Sequence, residues 1–163
     1  MFKGKSVFFV SALFVSLLLM GCKSTGRINL GPDLPREETT RITFSEVLVV
    51  QEINDIRVYN EFYPRERSRE NVVTLPAGEI TMLFNLRAYV RRGQNLVVRV
   101  FDDDLVVIYN FEPGKRYSIG LYVESLGAAG FFLGHFKYSI GIWENANMRG
   151  RPARTWELGE WRG

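Results

Sequence analysis

The feature that most constrains the fold of this 163-residue chain is a strict alternation of apolar and polar residues. From position 80 to position 90 every second residue is apolar, and Leu83 is the apolar exception among the residues between them. The alternating apolar residues are Ile80, Met82, Phe84, Leu86, Ala88 and Val90. A period of two is typical of a β-strand that buries one face. The sequence therefore predicts a half-buried strand here.

Turn-forming residues recur at short intervals after this strand. They lie at Arg91–Asn95, Asp102–Asp104 and Pro113-Gly114. The apolar segments that they separate are Leu96–Phe101, Leu105–Phe111 and Arg116–Val123. Short strands divided by turn signals are typical of hairpins. We therefore predict three successive hairpins that form an antiparallel meander.

Further strands are predicted on both sides of the meander. They cover Arg41–Gln51, Ile53–Tyr59 with a turn at Asn54-Asp55, Asn71–Leu75, His135–Glu144 and Arg154–Trp161. A helix from Ser45 to Ile56 is the alternative for the first two, because Ser45 is a suitable N-cap. The β-branched residues of Val47–Val50 favour a strand. The fold class expected for residues 41–163 is all-β, an antiparallel β-sandwich of seven to nine strands, immunoglobulin-like or transthyretin-like.

Two turn motifs carry a resemblance to known domains. They are Leu75-Pro76-Ala77-Gly78-Glu79 and Phe111-Glu112-Pro113-Gly114-Lys115-Arg116-Tyr117. Together they resemble small periplasmic lipoprotein domains of the β-sandwich type. In such domains a Pro-Ala-Gly turn begins one strand, and a Pro-Gly-Lys turn begins another strand that carries an aromatic residue. The resemblance implies a fold and no activity.

The N-terminus has the composition of a signal peptide. Lys3 and Lys5 precede the mostly apolar segment Val7–Met20, and no acidic residue occurs before Asp33. A secretory signal combines a positive n-region with an apolar segment of about 7–15 residues and small residues at the cleavage site. The apolar segment is short for a spanning helix, which needs about 20 residues. An uncleaved N-terminal anchor is the alternative.

The segment Leu19-Met20-Gly21-Cys22 resembles the lipobox of bacterial lipoproteins. The resemblance implies that Cys22 receives a diacylglycerol and often a further acyl chain such as palmitate, after cleavage that removes residues 1–21. Two or more lipid chains are enough for stable membrane attachment. The expected location is the cell envelope, most readily the outer membrane facing the periplasm, since Lys23 is not the aspartate that favours inner-membrane retention in enterobacteria.

Removal of the signal peptide changes the charge balance. Lys3 and Lys5 leave with it, so 19 basic residues face 18 acidic ones, and the net charge falls from +3 to about +1. A nearly neutral chain without sustained basic stretches gives no reason to expect nucleic-acid binding. Residues 22–40 contain glycine, proline and no apolar periodicity, so we expect an acylated Cys22 and a flexible tether. A first strand near Ile28–Leu30 is the alternative.

The sequence contains few residues in the combinations or spacings typical of catalytic, metal-binding or anion-binding sites. His135 is the only histidine, and no hydrolase signature surrounds it. Asp102, Asp103 and Asp104 are weak candidates for a Ca²⁺ site, but the EF-hand spacing is missing. Arg65, Arg67 and Arg69 alternate with acidic residues, which favours a solvated loop over an anion site. Arg149, Arg151 and Arg154 form a sparse basic group, also expected to be solvated. We expect no catalytic residues, no metal and no cofactor.

The glycine-rich segment Ser125–Gly134 contains the apolar triplet Phe131, Phe132 and Leu133. The triplet is a candidate partner contact, although a buried strand that bends at its glycines is favoured. The leading functional hypothesis is a non-enzymatic binding or scaffold module at the cell envelope, held by the lipid on Cys22. The alternatives are an accessory subunit that docks on an envelope protein through this triplet, and an enzyme of an unrecognised type.

Overall fold

A computed structural model describes residues 26–58, 71–92, 96–126, 136–144 and 148–161, without the side chains at 26–27, 90–92, 96–98 and 161. These residues form ten strands in two sheets, and none of them lies in an α-helix. The strands are β1 Gly26–Asn29, β2 Thr39–Phe44, β3 Leu48–Ile53, β4 Ile56–Arg57, β5 Asn71–Pro76, β6 Gly78–Arg92, β7 Leu96–Phe111, β8 Arg116–Ser125, β9 Phe136–Glu144 and β10 Arg154–Trp161. The all-β class predicted from the sequence is confirmed.

The larger sheet has six strands in the order β1-β5-β2-β8-β9-β10. Strand β1 pairs in parallel with β5, and the Leu30 amide donates a further hydrogen bond of 2.9 Å to the Thr74 carbonyl. Ile28 and Leu30 pack against the core. The prediction of a flexible tether is therefore wrong for residues 26–40, where β1, a 3₁₀ turn at Arg36–Glu38 and the start of β2 are found. The alternative, an early strand near Ile28, is the arrangement observed.

The smaller sheet has four strands in the order β4-β3-β6-β7. Asn54 and Asp55 connect β3 to β4 with φ angles of 49° and 62°. Two successive positive φ angles are the signature of a type I′ hairpin turn, which asparagine and aspartate tolerate. The Asn54 side-chain oxygen also accepts a hydrogen bond of 2.9 Å from the Thr81 amide on β6. The predicted turn is confirmed, and the alternative helix over Ser45–Ile56 is wrong.

Strand β7 runs without interruption through the segment in which the sequence predicts a turn. It pairs with β6 from Gly78↔Phe111 to Arg92↔Leu96, and the register shifts between Phe84↔Leu105 and Leu86↔Asp102. Asp102, Asp103 and Asp104 thus form a β-bulge, with Asp104 at a φ of 56°. The predicted turn is wrong because a bulge accommodates the extra polar residues without reversing the chain.

The chain changes sheets after β7, so the predicted meander is also wrong. Pro113-Gly114 connects β7 in the four-stranded sheet to β8, which pairs in parallel with β2 in the six-stranded sheet. Gly114 has a φ of 74°, which glycine adopts without strain. Glycine and proline indicated a turn correctly, but turn chemistry alone does not tell a hairpin from a crossing between sheets.

The core lies between the two sheets and confirms the alternation read from the sequence. Ile80, Met82, Phe84, Leu86 and Ala88 are all buried on one face of β6, while the side chain of Val90 is outside those described. From the other sheet, side chains of β2, β8 and β9 meet them. The largest fully buried ones include Phe44, Tyr117, Phe136 and Ile42. The burial of each such side chain stabilises the folded state by about 1.5–3 kcal/mol.

Candidate interaction surface

Around Trp143 the outer face of the six-stranded sheet is covered by another segment of the chain. Trp143 on β9 points away from the core and is only 4% exposed. Its indole Nε1 donates a hydrogen bond of 3.1 Å to the Gly150 carbonyl, and its ring lies 6.2 Å from that of Tyr122 on β8. The segment at 148–153 is thereby held against the sheet.

Two glycines make room for this covering segment. Gly120 on β8 and Gly141 on β9 are paired neighbours in the sheet. A Cβ at Gly141 would lie 2.7 Å from Trp143 Cη2 and 3.1 Å from Pro152 Cβ, and a Cβ at Gly120 would lie 2.7 Å from Met148 Sδ. At these two positions the outer face of the sheet is therefore closely packed, and a side chain there has no space.

The outer face of the four-stranded sheet has no such cover among the described residues. Val106 and Ile108 on β7 are 56% and 52% exposed, and Tyr89 and Phe101 are 63% and 50% exposed. Leu83, the exception in the alternation of β6, lies opposite Val106 in the register. These five residues form an apolar surface on one sheet face, which we call the bare face. Clustered exposed apolar residues mark sites of interaction more often than isolated ones do.

The bare face has an aromatic and cationic part that is built by two strands. The rings of Tyr89 on β6 and Phe101 on β7 meet edge to face at 5.5 Å. The Arg87 guanidinium lies 5.5 Å from the Phe101 ring centroid, and the Arg99 guanidinium lies 5.9 Å from that of Tyr89. Cation–π contacts of this kind are worth about 0.5–1 kcal/mol at exposed sites. We call these four residues the aromatic–arginine cluster.

The two arginines of the cluster differ in their charge partners. Arg87 donates to the Leu86 and Asp102 carbonyls at 2.8 and 3.2 Å and forms an ion pair with the Asp103 carboxylate. None of the ion pairs between the side chains that the structure describes involves Arg99. Arg99 therefore presents a positive charge that an anion can approach.

Strand β7 also lies at the edge of its sheet, beyond β6. An edge strand presents backbone N–H and C=O groups that can pair with another extended chain. The bulge at Asp102–Asp104 interrupts this edge, which is a common protection against aggregation. Between the bulge and Phe111 the edge continues beside the exposed side chains of Val106 and Ile108. This part of β7 combines backbone groups that pair with no other described strand with a row of apolar side chains.

The weak metal candidates do not converge on one point. Asp103 pairs with Arg87, while the Asp104 amide donates a hydrogen bond of 3.1 Å to the Asn85 side chain. Within the described ranges, no three histidine, cysteine, aspartate or glutamate side chains come together in a way that could hold a metal ion. Asp102–Asp104 thus acts as the bulge and as the counter-charge of Arg87.

Four aromatic residues pack together between the sheets near the C-terminal end of β7. Tyr109 packs against Phe111 at 4.8 Å, Tyr117 at 5.9 Å and Trp156 at 6.2 Å between ring centroids. Burial raises the pKa of Tyr109 above its ordinary value, with a smaller contribution from Tyr117. Trp156 and Leu158 also pack against the core. This group belongs to the hydrophobic core and offers no site.

Several residues singled out from the sequence lie outside the described part of the chain. They are Leu19, Met20, Gly21 and Cys22 of the lipobox, Arg65, Arg67 and Arg69, the triplet Phe131, Phe132 and Leu133, and His135. Arg149, Arg151 and Arg154 are described and exposed, and Arg151 forms an ion pair of 3.4 Å with Glu124. The bare face was not identified from the sequence. The unbroken apolar run Leu105–Ile108 was its signal, because such a run places apolar side chains on both faces of a strand.

Comparison with known proteins gives no relative. No protein-family model, no curated protein and no solved structure matches the chain. The described residues also include no helix that is both long and apolar enough to cross a membrane.

Proposed function

We propose that this chain is a lipid-anchored, non-enzymatic binding module of the bacterial cell envelope. The lipobox-like segment Leu19–Cys22 behind a basic and then apolar N-terminus supports the anchor, with Cys22 as the lipid-carrying residue. Two acyl chains on one cysteine are sufficient for stable attachment. We place the anchor in the outer membrane, with the two-sheet domain in the periplasm.

The single observation that carries the binding role is the bare face beside the free edge of β7. Val106 and Ile108 are more than half exposed on a strand whose outer backbone groups pair with none of the strands that the structure describes. An extended segment of another envelope protein would extend the sheet by β-augmentation and cover these side chains. Main-chain hydrogen bonds would supply affinity, and the alternate apolar positions would supply specificity.

The architecture is consistent with an immunoglobulin-like or transthyretin-like sandwich. Two mostly antiparallel sheets share one core, and the chain crosses between them after β2, β4, β5 and β7. Crossings of this type are common in sandwich folds, in which loops and strand edges carry the binding function.

The anchor is tested by mass spectrometry of the protein purified from its own membrane. The expected N-terminal fragment begins at an acylated Cys22, and a Cys22→Ala variant should leave the membrane fraction. A fragment that begins at Met1, or an unmodified Cys22 thiol, would overturn the lipid anchor.

The binding surface is tested by a photo-activated crosslinking residue placed at Val106 in cells. We expect a discrete adduct with another envelope protein, and we expect an Ile108→Lys substitution to abolish it. Thr155, exposed on the outer face of β10, is the matched control position and should give no adduct. Equal crosslinking at both positions, or an adduct that survives Ile108→Lys, would contradict the proposed surface.

A further inference from the structure

The strand register shows which end of the domain the N-terminal segment enters. Gly26 pairs with Asn71, and Asn71 pairs with Phe44, the last residue of β2. Strand β1 runs away from this level, because it is parallel to β5 and antiparallel in direction to β2. The residues that precede Gly26 therefore approach from the end at which β2 terminates, which we call the anchor end.

The hairpin of β6 and β7 extends toward the same end. Three residues separate Phe44 from Leu48, the first residue of β3, and Leu48 pairs with Leu86 on β6. The Arg87 amide also donates a hydrogen bond of 2.8 Å to the Val47 carbonyl. Strand β6 is antiparallel to β3 and continues to Arg92. Tyr89 lies three residues beyond Leu86, which at about 3.3 Å per residue is about 10 Å closer to the anchor end.

The chain between the domain and the anchor is short. Only Lys23, Ser24 and Thr25 separate Cys22 from Gly26. Even a fully extended chain spans at most about 14 Å over four residues. A lipid on Cys22 therefore keeps Gly26, and with it the anchor end of the domain, within about 14 Å of the membrane surface.

The side chains at the anchor end suit a lipid surface. Tyr89 and Phe101 are exposed aromatic residues, and Arg99, opposite Tyr89 in the register, has its guanidinium in no ion pair between described side chains. Aromatic rings and long cationic side chains are favoured at the level of lipid headgroups, where each cation gains about 1 kcal/mol near an anionic surface. The acidic bulge Asp102–Asp104 lies farther from the anchor end, at the level of Leu86.

We propose that the aromatic–arginine cluster of Tyr89, Phe101, Arg87 and Arg99 docks on the phospholipid headgroups of the membrane that holds the Cys22 lipid. The proposal rests on the lipid anchor of the proposed function. The docked domain stands with its β6–β7 hairpin on the membrane. Val106 and Ile108 then lie away from the membrane and stay accessible to a protein partner.

The test uses the full acylated protein in vesicles of phosphatidylethanolamine and phosphatidylglycerol, some of which carry a headgroup spin label. Phe101→Cys and Ile108→Cys variants are each labelled with a thiol-reactive fluorophore. Both positions are exposed on the same face of the same strand, so Ile108→Cys is the matched control. We expect the spin label to quench most of the fluorescence at position 101 and little of it at position 108.

The wild-type protein separates failure of the anchor from failure of the docking. An acylated Cys22 leaves no thiol, so the wild type should take no fluorophore. Labelling of the wild type would overturn the anchor, and with it the docking. An unlabelled wild type together with an unquenched position 101, or with equal quenching at 101 and 108, would keep the anchor and overturn the docking. Tyr89→Cys gives a second probe if Phe101→Cys does not fold.

The role of charge is tested in the labelled Phe101→Cys background. Arg99→Glu should lower the ratio of docked to undocked protein by at least about fivefold, which corresponds to about 1 kcal/mol. Arg57→Glu is the control, because Arg57 is an exposed arginine near the opposite end of the same sheet. An equal effect of both substitutions, or none from Arg99→Glu, would contradict docking through the cluster.

Discussion

The two sheets of this protein share a core, but their outer faces differ in how far other parts of the chain cover them. The six-stranded sheet covers its outer face with Trp143 and the segment at 148–153, and it uses Gly120 and Gly141 to bring them close. The four-stranded sheet leaves Tyr89, Phe101, Val106 and Ile108 half exposed or more. Because the first face is packed, substitutions there should change stability, whereas those on the bare face should change interactions.

The sharpest test of this difference compares two aromatic truncations. Trp143→Ala removes a buried ring and its hydrogen bond to Gly150, so we expect the free energy of unfolding to fall by about 3–5 kcal/mol. Phe101→Ala removes a half-exposed ring and one edge-to-face contact, so its cost should be about 1 kcal/mol or less. Urea unfolding followed by circular dichroism measures both values.

The comparison fails if the two truncations cost the same. A small loss for Trp143→Ala would show that the segment at 148–153 does not pack as a layer. A large loss for Phe101→Ala would show that the bare face is covered by another part of the chain.

A second test adds one methyl group to the covered face. Alanine usually stabilises a glycine position by about 0.5–1 kcal/mol, because it reduces the freedom of the unfolded chain. At Gly141 the new Cβ would lie 2.7 Å from Trp143 Cη2, and overpacking costs about 1–3 kcal/mol. We expect Gly141→Ala to be destabilising by about 2 kcal/mol, again measured by urea unfolding.

The combination Gly141→Ala with Trp143→Phe supplies the control, because a smaller ring should relieve part of the overlap. Its two changes should therefore cost less together than the sum of the single substitutions. Simple additivity would mean that the Trp143 ring is not what limits the space at Gly141.

A third test introduces charge on the bare face. Val106→Lys and Ile108→Lys place a solvated ammonium group where an apolar side chain is already more than half exposed. The free energy of unfolding should therefore change by only about 0.5 kcal/mol. The same substitutions should abolish the crosslink proposed for β7. Val107→Lys is the matched control on the core side of β7, and it should unfold the domain because Val107 is buried.

Local patterns in the sequence were sufficient for most strands of this fold. The alternation over Ile80–Ala88, the Asn54-Asp55 turn and strand β10 at Arg154–Trp161 appear in the structure as predicted. Each depends on interactions between residues that are near in the chain, namely a period of two or the tolerance of asparagine and aspartate for positive φ.

The sequence predictions were wrong where contacts between residues distant in the chain determine the local structure. Asp102–Asp104 has the composition of a turn, but pairing with β6 on both sides of the bulge keeps β7 extended. Residues 26–29 lack an apolar period, yet β5 offers them a strand edge. The cover over Gly141 depends on Trp143 and Pro152, which are nine residues apart in the chain and which no local pattern relates. The candidate surface was missed for the same reason, since the exposure of Val106 depends on whether another part of the chain covers the outer face of the four-stranded sheet.

The smallest expected effect concerns charge on the covered face. A hydrogen bond to Glu160, followed by the charges of Glu157 and Glu160, raises the pKa of Lys137 on β9 above its ordinary value of 10.5. A raised pKa in the folded state means that this contribution is present in full below pH 10.5 and disappears as the pH rises through the higher folded value. We therefore expect Lys137→Gln to lower stability slightly near neutral pH, less so in high salt, and not at all once the lysine is deprotonated.

Arg57→Gln, which removes the ion pair with Glu52 on the four-stranded sheet, is the matched control. Arg57 is still more exposed than Lys137, and among the described side chains it has one carboxylate partner instead of two, so its loss should have the smaller effect. If the loss at Lys137 persisted in high salt and above the folded pKa, the lysine stem would be stabilising the β9–β10 pair through packing against the sheet. Apolar contact would then contribute to the stability of the covered face even at the charged residue Lys137.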